Sequence, residues 1–143
     1  MRPLALALLL ALPLPAQGWT LARLPVAGGT LLRLDAAGSA FLCDEGSGRV
    51  ELWLARAASA HAPGAALSAT LGAGALTREV PAMVVREAGF DGIRAEMAAD
   101  DPFWPALLSA PALAVTLPGL ARWTLPLTDF AAPGAGFLTA CRG

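Results

Sequence analysis

The sequence predicts a mainly β fold: a small antiparallel sandwich or open barrel of seven to eight strands with one or two short helices. Three observations point there. Short apolar runs recur along the chain with turn formers between them, and Gly and Pro supply 15 and 12 of the 143 residues. The clearest run, Arg49 to Arg56, puts Val50, Leu52 and Leu54 on one face and Glu51 and Trp53 on the other, which is the period of two of a half-buried strand. No strand–helix–strand alternation is present, so a parallel sheet is not expected.

Residues 1–16 read as a secretory signal rather than as part of the fold. Met1-Arg2-Pro3 gives a positive start, Leu4 to Leu12 is an unbroken Leu/Ala run, and Pro13-Leu14-Pro15-Ala16 supplies a helix breaker and a small residue, with cleavage expected near Ala16-Gln17. The run is shorter than the ~20 residues a membrane-spanning helix needs. Residues 17–143 are then a single β-rich domain of about 127 residues, a size at which roughly two thirds of the unfolded surface is buried. The formal net charge of -1 loses Arg2 with the signal, one unit, and becomes -2. The uncharged stretch from Phe103 to Ala121 is broken by Pro105, Pro111 and Pro118-Gly119, so no transmembrane segment is expected in the mature chain.

The strands follow in order. Trp19 to Leu24 is the first, Gly28-Gly29 a turn, Thr30 to Leu34 the second and Ala40 to Cys43 the third. Asp44 to Gly48 is a loop of turn formers, so Arg49 to Arg56 forms a hairpin with the strand before it. Ala57 to Ala75 is Ala/Gly/Ser-rich and fits either a flexible connection or a closely packed strand around Ala66 to Leu71. Ala82 to Ala88 and Ile93 to Ala98 flank Gly89-Phe90-Asp91-Gly92, and Asp-Gly between strand-like runs signals a hairpin. A two-residue loop sets Glu87 opposite Glu96 and a four-residue loop sets it opposite Arg94, which cross-strand charge favours. Asp100-Asp101-Pro102 opens a short helix carrying Phe103, Trp104, Leu107 and Leu108, ended by Pro111. Ala112 to Leu117 and Leu120 to Leu127 form a third hairpin around Pro118-Gly119. Thr128 or Asp129 can cap a last segment, Phe130 to Ala140, which Pro133, Gly134 and Gly136 weaken as a helix.

Composition bounds the chemistry. The chain is 56% hydrophobic and 15% charged, which excludes disorder for most of its length. Its charge offers no cationic face for nucleic acid or anionic lipid. Lys, Asn and Tyr are absent and Ile occurs once, as in proteins of very GC-rich bacterial genomes. Lysine chemistry is excluded with them.

Cys43 and Cys141 are the 2 cysteines. An even count in an exported chain reads as a disulfide. Zinc needs more ligands than the 1 His, His61, can add, and a catalytic thiol would need His61 as its base in a compartment that works against a free thiolate. Ser59, Ser68 and Ser109 lack the context of a nucleophile elbow. Asp100-Asp101, with Glu96 nearby, reads as a helix cap rather than a calcium loop. Arg86, Arg94 and Glu87 read as a solvated face. The tryptophans are the binding candidates, Trp53 foremost and then Trp19 and Trp123, set against packing on a second face of a sandwich.

The last third of the chain carries Phe103, Leu107-Leu108, Ala112-Leu113-Ala114-Val115, Trp123-Thr124-Leu125-Pro126-Leu127, Phe130 and Ala140-Cys141. This pattern resembles small exported proteins of alphaproteobacteria of the invasion-associated locus B type. The resemblance implies an exported β-rich domain with a role at the cell envelope, and it brings no catalytic residues.

The expected protein is therefore an exported bacterial domain, periplasmic or extracellular, without a catalytic constellation or cofactor. It acts by binding an unidentified protein or envelope partner. Two other readings stay open: a small secreted hydrolase or inhibitor with a dispersed site, and a tryptophan-based carbohydrate-binding module. A deep pocket with two facing carboxylates, or a serine beside His61, favours the first of these. An exposed row of tryptophans favours the second.

Overall fold

The computed structural model describes residues 18–56 and 61–143, so the expected signal at 1–16 and Ser59 lie outside the described residues. The element order is β1 (Thr20–Val26), β2 (Gly29–Ala36), β3 (Ser39–Asp44), β4 (Arg49–Ala55), β5 (Ala66–Ala73), β6 (Leu76–Glu87), β7 (Phe90–Ala98), α1 (Phe103–Ser109), β8 (Ala112–Thr116), β9 (Trp123–Pro126) and α2 (Ala131–Arg142). All nine strands join one open sheet in the spatial order β1-β2-β3-β4-β7-β6-β5-β8-β9, and every neighbouring pair is antiparallel. The mainly β reading therefore stands, with nine strands in place of seven to eight. The weak stretch supplies a full strand, β5, whose Ala69 and Leu71 are fully buried.

Period-two patterning decides which face turns inward. Val50, Leu52 and Leu54 point to the core together with Leu32, Leu34, Phe41, Ile93, Leu71, Leu113 and Val115. The sheet curls around this core until its ends meet. The Trp19 backbone N–H donates to the Thr128 carbonyl (3.2 Å), and the Trp19 indole N–H donates to the Pro126 carbonyl (2.9 Å). The Trp19 ring lies 5.1 Å from Phe41 and 5.2 Å from Phe130, and Trp104 meets Phe41 edge-on at 5.8 Å. Such pairings add about 0.5–1.5 kcal/mol each beyond their buried area.

The β6–β7 hairpin corrects both sequence registers. Glu87 pairs with Phe90, Arg86 with Asp91 and Met83 with Arg94, so the turn is Ala88-Gly89 and not Asp91-Gly92. Gly89 takes the positive φ of 81° that the turn needs. Gly92 instead sits within β7 opposite Ala55, where a Cβ would collide with the Leu54 carbonyl oxygen. The Asp-Gly signal marks a close strand approach here rather than a turn. Further along, β6 pairs with β7 only from Ala82 onward, so Pro81 stands where one side of its strand has no ladder. α1 packs beside this gap, and Arg78 reaches Asp101 across it at 2.7 Å. Asp101 also accepts the Phe103 N–H (2.9 Å) just ahead of the helix, whose N-cap position is Pro102.

α2 is a helix of 12 residues despite its Pro and glycines. Pro133 falls in the first turn, where its missing N–H costs nothing. Gly134 is required by packing: a Cβ there would lie 3.0 Å from Leu108 Cδ2 and 3.0 Å from the Phe130 ring. Neither Thr128 nor Asp129 caps the helix; Phe130 occupies the N-cap with no side-chain hydrogen bond. At the other end the orphan carbonyls of the last turn are satisfied from outside. Gly46 N–H donates to Ala140 O (3.0 Å) and Gly48 N–H to Cys141 O (2.8 Å). Cys43 and Cys141 form a disulfide with Cα atoms 5.8 Å apart, closing a loop near 100 residues that loop-closure entropy values at about 4–5 kcal/mol.

Two glycine substitutions separate packing from propensity. Gly134→Ala forces a methyl against Phe130, whose ring is pinned between Trp19 and Phe41, and is expected to cost about 1–3 kcal/mol in urea unfolding. Gly136→Ala, exposed and with its nearest neighbour at 3.7 Å, is expected to gain about 0.5–1 kcal/mol.

Candidate functional site

The four tryptophans separate by position in the fold. Trp19 and Trp104 are 4% and 0% exposed, and the Trp104 indole N–H donates to Ala98 O (2.7 Å). Both are core residues with no ring face left for a ligand, so Trp19 leaves the set of binding candidates. Trp53 and Trp123 are half-buried.

Trp53 projects from the outer face of β4. Antiparallel pairing sets it beside Ala40 of β3 and Arg94 of β7. Its indole N–H donates to Glu51 (3.0 Å), Phe90 stands edge-on to it at 5.3 Å, and the Arg94 guanidinium lies 5.9 Å from its ring centroid. Together with Arg33, Gly38, Ala40 and Leu42, the Trp53 and Phe90 rings line a shallow depression of about 220 Å³. An aromatic pair, an aliphatic floor and a flanking cation are the parts from which protein-binding anchors are made. Arg33, Leu42, Phe90 and Arg94 are additions to the sequence candidates. They come from three different strands, and only the observed registers place them around Trp53.

Trp123 sits at one end of the curled sheet, where the Arg56 guanidinium lies 4.8 Å from its ring centroid. Nearby, His61 Nε2 meets the Pro118 carbonyl (2.9 Å). A carbonyl only accepts, so Nε2 carries the proton in this contact. The His61 carbonyl in turn receives Arg86 Nη2 (3.3 Å). These contacts tie the β4–β5 and β8–β9 connections together, and Arg56 and Trp123 act there as a structural clasp.

The geometry bears on each open alternative. The tryptophans form no exposed row. Among the described residues His61 meets a backbone carbonyl, while Ser68 donates to Glu79 (2.7 Å) and Ser109 to the helix carbonyls of Pro105 and Ala106. Two carboxylates do face one another, Glu51 opposite Glu96, but on the solvent side of the sheet. Glu51 accepts from Trp53 and Glu96 is paired with Arg49 at 2.7 Å. The larger depressions, about 510 Å³ beside Asp35 and about 640 Å³ beside Asp129, each hold a single carboxylate. Among the described residues no group of three or more His, Cys, Asp or Glu converges to hold a metal ion, and no helix is long and apolar enough to cross a membrane. No family model, curated protein or solved structure matches the chain.

The clasp can be weighed by a double-mutant cycle. Arg56→Ala and Trp123→Leu, alone and combined, are expected to show a coupling of about 0.5–1 kcal/mol in urea unfolding. Additive losses would mean that the two side chains do not interact in solution.

Proposed function

We propose that this protein is an exported bacterial domain that acts by binding at the cell envelope, through the outer face of β3, β4 and β7 around Trp53 and Phe90. The observation that carries the reading is the Cys43–Cys141 disulfide, because structural disulfides persist in oxidising compartments. It stands in a chain whose residues 1–16 have the layout of a secretory signal. The likeness to invasion-associated locus B proteins belongs to the same proposal, as a β-rich domain serving the envelope. Binding rather than catalysis is favoured because, among the described residues, His61, Ser68, Ser109, Glu51 and Glu96 each bond a different neighbour, while aromatic and aliphatic groups gather on one sheet face. The carbohydrate-module reading is not favoured, since Arg94 and Phe90 already occupy the Trp53 ring.

Intact-mass and peptide mapping of the protein from fractionated cells test export. The expected result is a periplasmic or secreted form lacking 16 or 17 residues, with Cys43 linked to Cys141. A cytoplasmic form with an intact N-terminus overturns the reading. For the binding face, the wild type is expected to crosslink to an envelope component in those cells. A Trp53→Ala, Phe90→Ala variant with unchanged secondary structure is expected to lose that adduct. Equal crosslinking by both proteins removes the assignment of this face.

A further inference from the structure

We propose that α2 is a redox-latched plug: the curled sheet forms first, and α2 seats on its inner face only after Cys43 and Cys141 are joined. Four observations lead there. First, the helix has little intrinsic stability, because its sequence contains Pro133, Gly134 and Gly136 and its N-terminus has no side-chain cap. An isolated helix of this length is marginal even with good formers. Second, what α2 contributes is burial. Phe137, Leu138 and Cys141 are at most 2% exposed against strands whose ladders do not involve the helix. Third, the fastening is concentrated at one end. The disulfide, the two N–H donors of Gly46 and Gly48 to the last helical turn, and the two bonds from Arg142 to Ala99 O (3.0 and 2.9 Å) all lie within the final three residues. Fourth, the sulfurs are enclosed. Cys43 is 2% and Cys141 0% exposed, so an external thiol or disulfide reaches neither while α2 is seated. The bond must therefore form with the helix open, and seating follows.

The chemistry is thiol–disulfide exchange. One cysteine thiolate attacks a disulfide oxidant, such as an oxidised dithiol protein or oxidised glutathione, and releases one thiol as leaving group. The second cysteine thiolate then displaces the other thiol from this mixed disulfide. Two protons leave the cysteines, two electrons pass to the oxidant, and the intramolecular S–S bond replaces the oxidant's. In a reducing compartment the exchange runs the other way for as long as α2 is open, so completion of the fold waits for oxidation. The link to a compartment rests on the proposed export, whereas the latch itself does not.

The test uses the full mature chain, unfolded and reduced, then refolded either with a phosphine reductant or with a glutathione redox pair. A Cys43→Ala, Cys141→Ala variant serves as a second reduced form. Hydrogen exchange read by mass spectrometry is expected to show β2 to β7 protected in every sample. Peptides from residues 131–142 should exchange at least about 100-fold faster in both reduced forms, the kinetic face of the lost loop closure. Chymotrypsin should then cut at Phe137 or Leu138 in the reduced forms alone. Equal protection of α2 in reduced and oxidised chains overturns the latch. So does loss of sheet protection together with α2, because the disulfide would then support the whole fold and not one element. Failure of export appears in cell fractionation and leaves this experiment unaffected.

Discussion

An all-antiparallel sheet of nine strands leaves its first and last members running in the same direction, and much of the rest of the structure follows from how that mismatch is handled. Strands β1 and β9 do not pair with each other, so the curl is not sealed by a ladder. The seam is held instead by Trp19, which spends its backbone and indole N–H groups on carbonyls just beyond and within β9. Its ring then nucleates the aromatic cluster with Phe41, Phe130 and Trp104. α2 sits beneath the same seam, and this explains why a segment with poor helix propensity is nevertheless helical. Once Gly134 lets it approach Leu108 and Phe130, apolar burial, held in place by the Cys43–Cys141 bond at its far end, outweighs what the glycines cost.

The two partly exposed tryptophans show how similar pairs can serve different ends. Arg56 and Trp123 stand at one end of the curled sheet, where a cation over an indole joins the residue after β4 to the first residue of β9, strands that share no ladder. Trp53 and Phe90 lie on the outer face, where with Arg33 and Leu42 they line a depression, and Arg94 flanks the Trp53 ring. Glu51 and Glu96, directly opposite each other, would repel if left alone. The Trp53 indole and Arg49 each take one of them. That arrangement keeps the face ordered while leaving its apolar groups half-exposed.

Much of this was legible in the residues. Val50, Leu52 and Leu54 announced β4 and its inward face. Asp101 announced the start of α1, and two cysteines in a chain with an apolar leader pattern announced a disulfide. Other features were not legible, for physical reasons. Asp91-Gly92 carries a turn signal, yet the buried pairs Val84–Ile93 and Ala82–Ala95 move the turn to Ala88-Gly89. Gly92 is needed where β7 passes the Leu54 carbonyl of β4, and that partner lies far off in sequence, where a two-residue turn preference carries no information about it. The stretch around Ala66 to Leu71 looked featureless because small residues carry weak periodic signal. The cluster around Trp53 was half legible: the alternation of β4 turns Trp53 outward, but Arg33, Phe90 and Arg94 join it only across strands.

The sequence by itself determined the class of fold, the direction in which each strong strand faces, the identity of the disulfide and the shortage of catalytic side chains. These are local or countable properties: a period of two, a cap, a turn former, a pair of thiols. Tertiary structure decided the strand order, the β6–β7 register, the helicity of α2, the burial of Trp19 and the company Trp53 keeps. Each of those depends on contacts between residues distant in sequence. Their energies come from burial and close approach, and no local propensity carries that information.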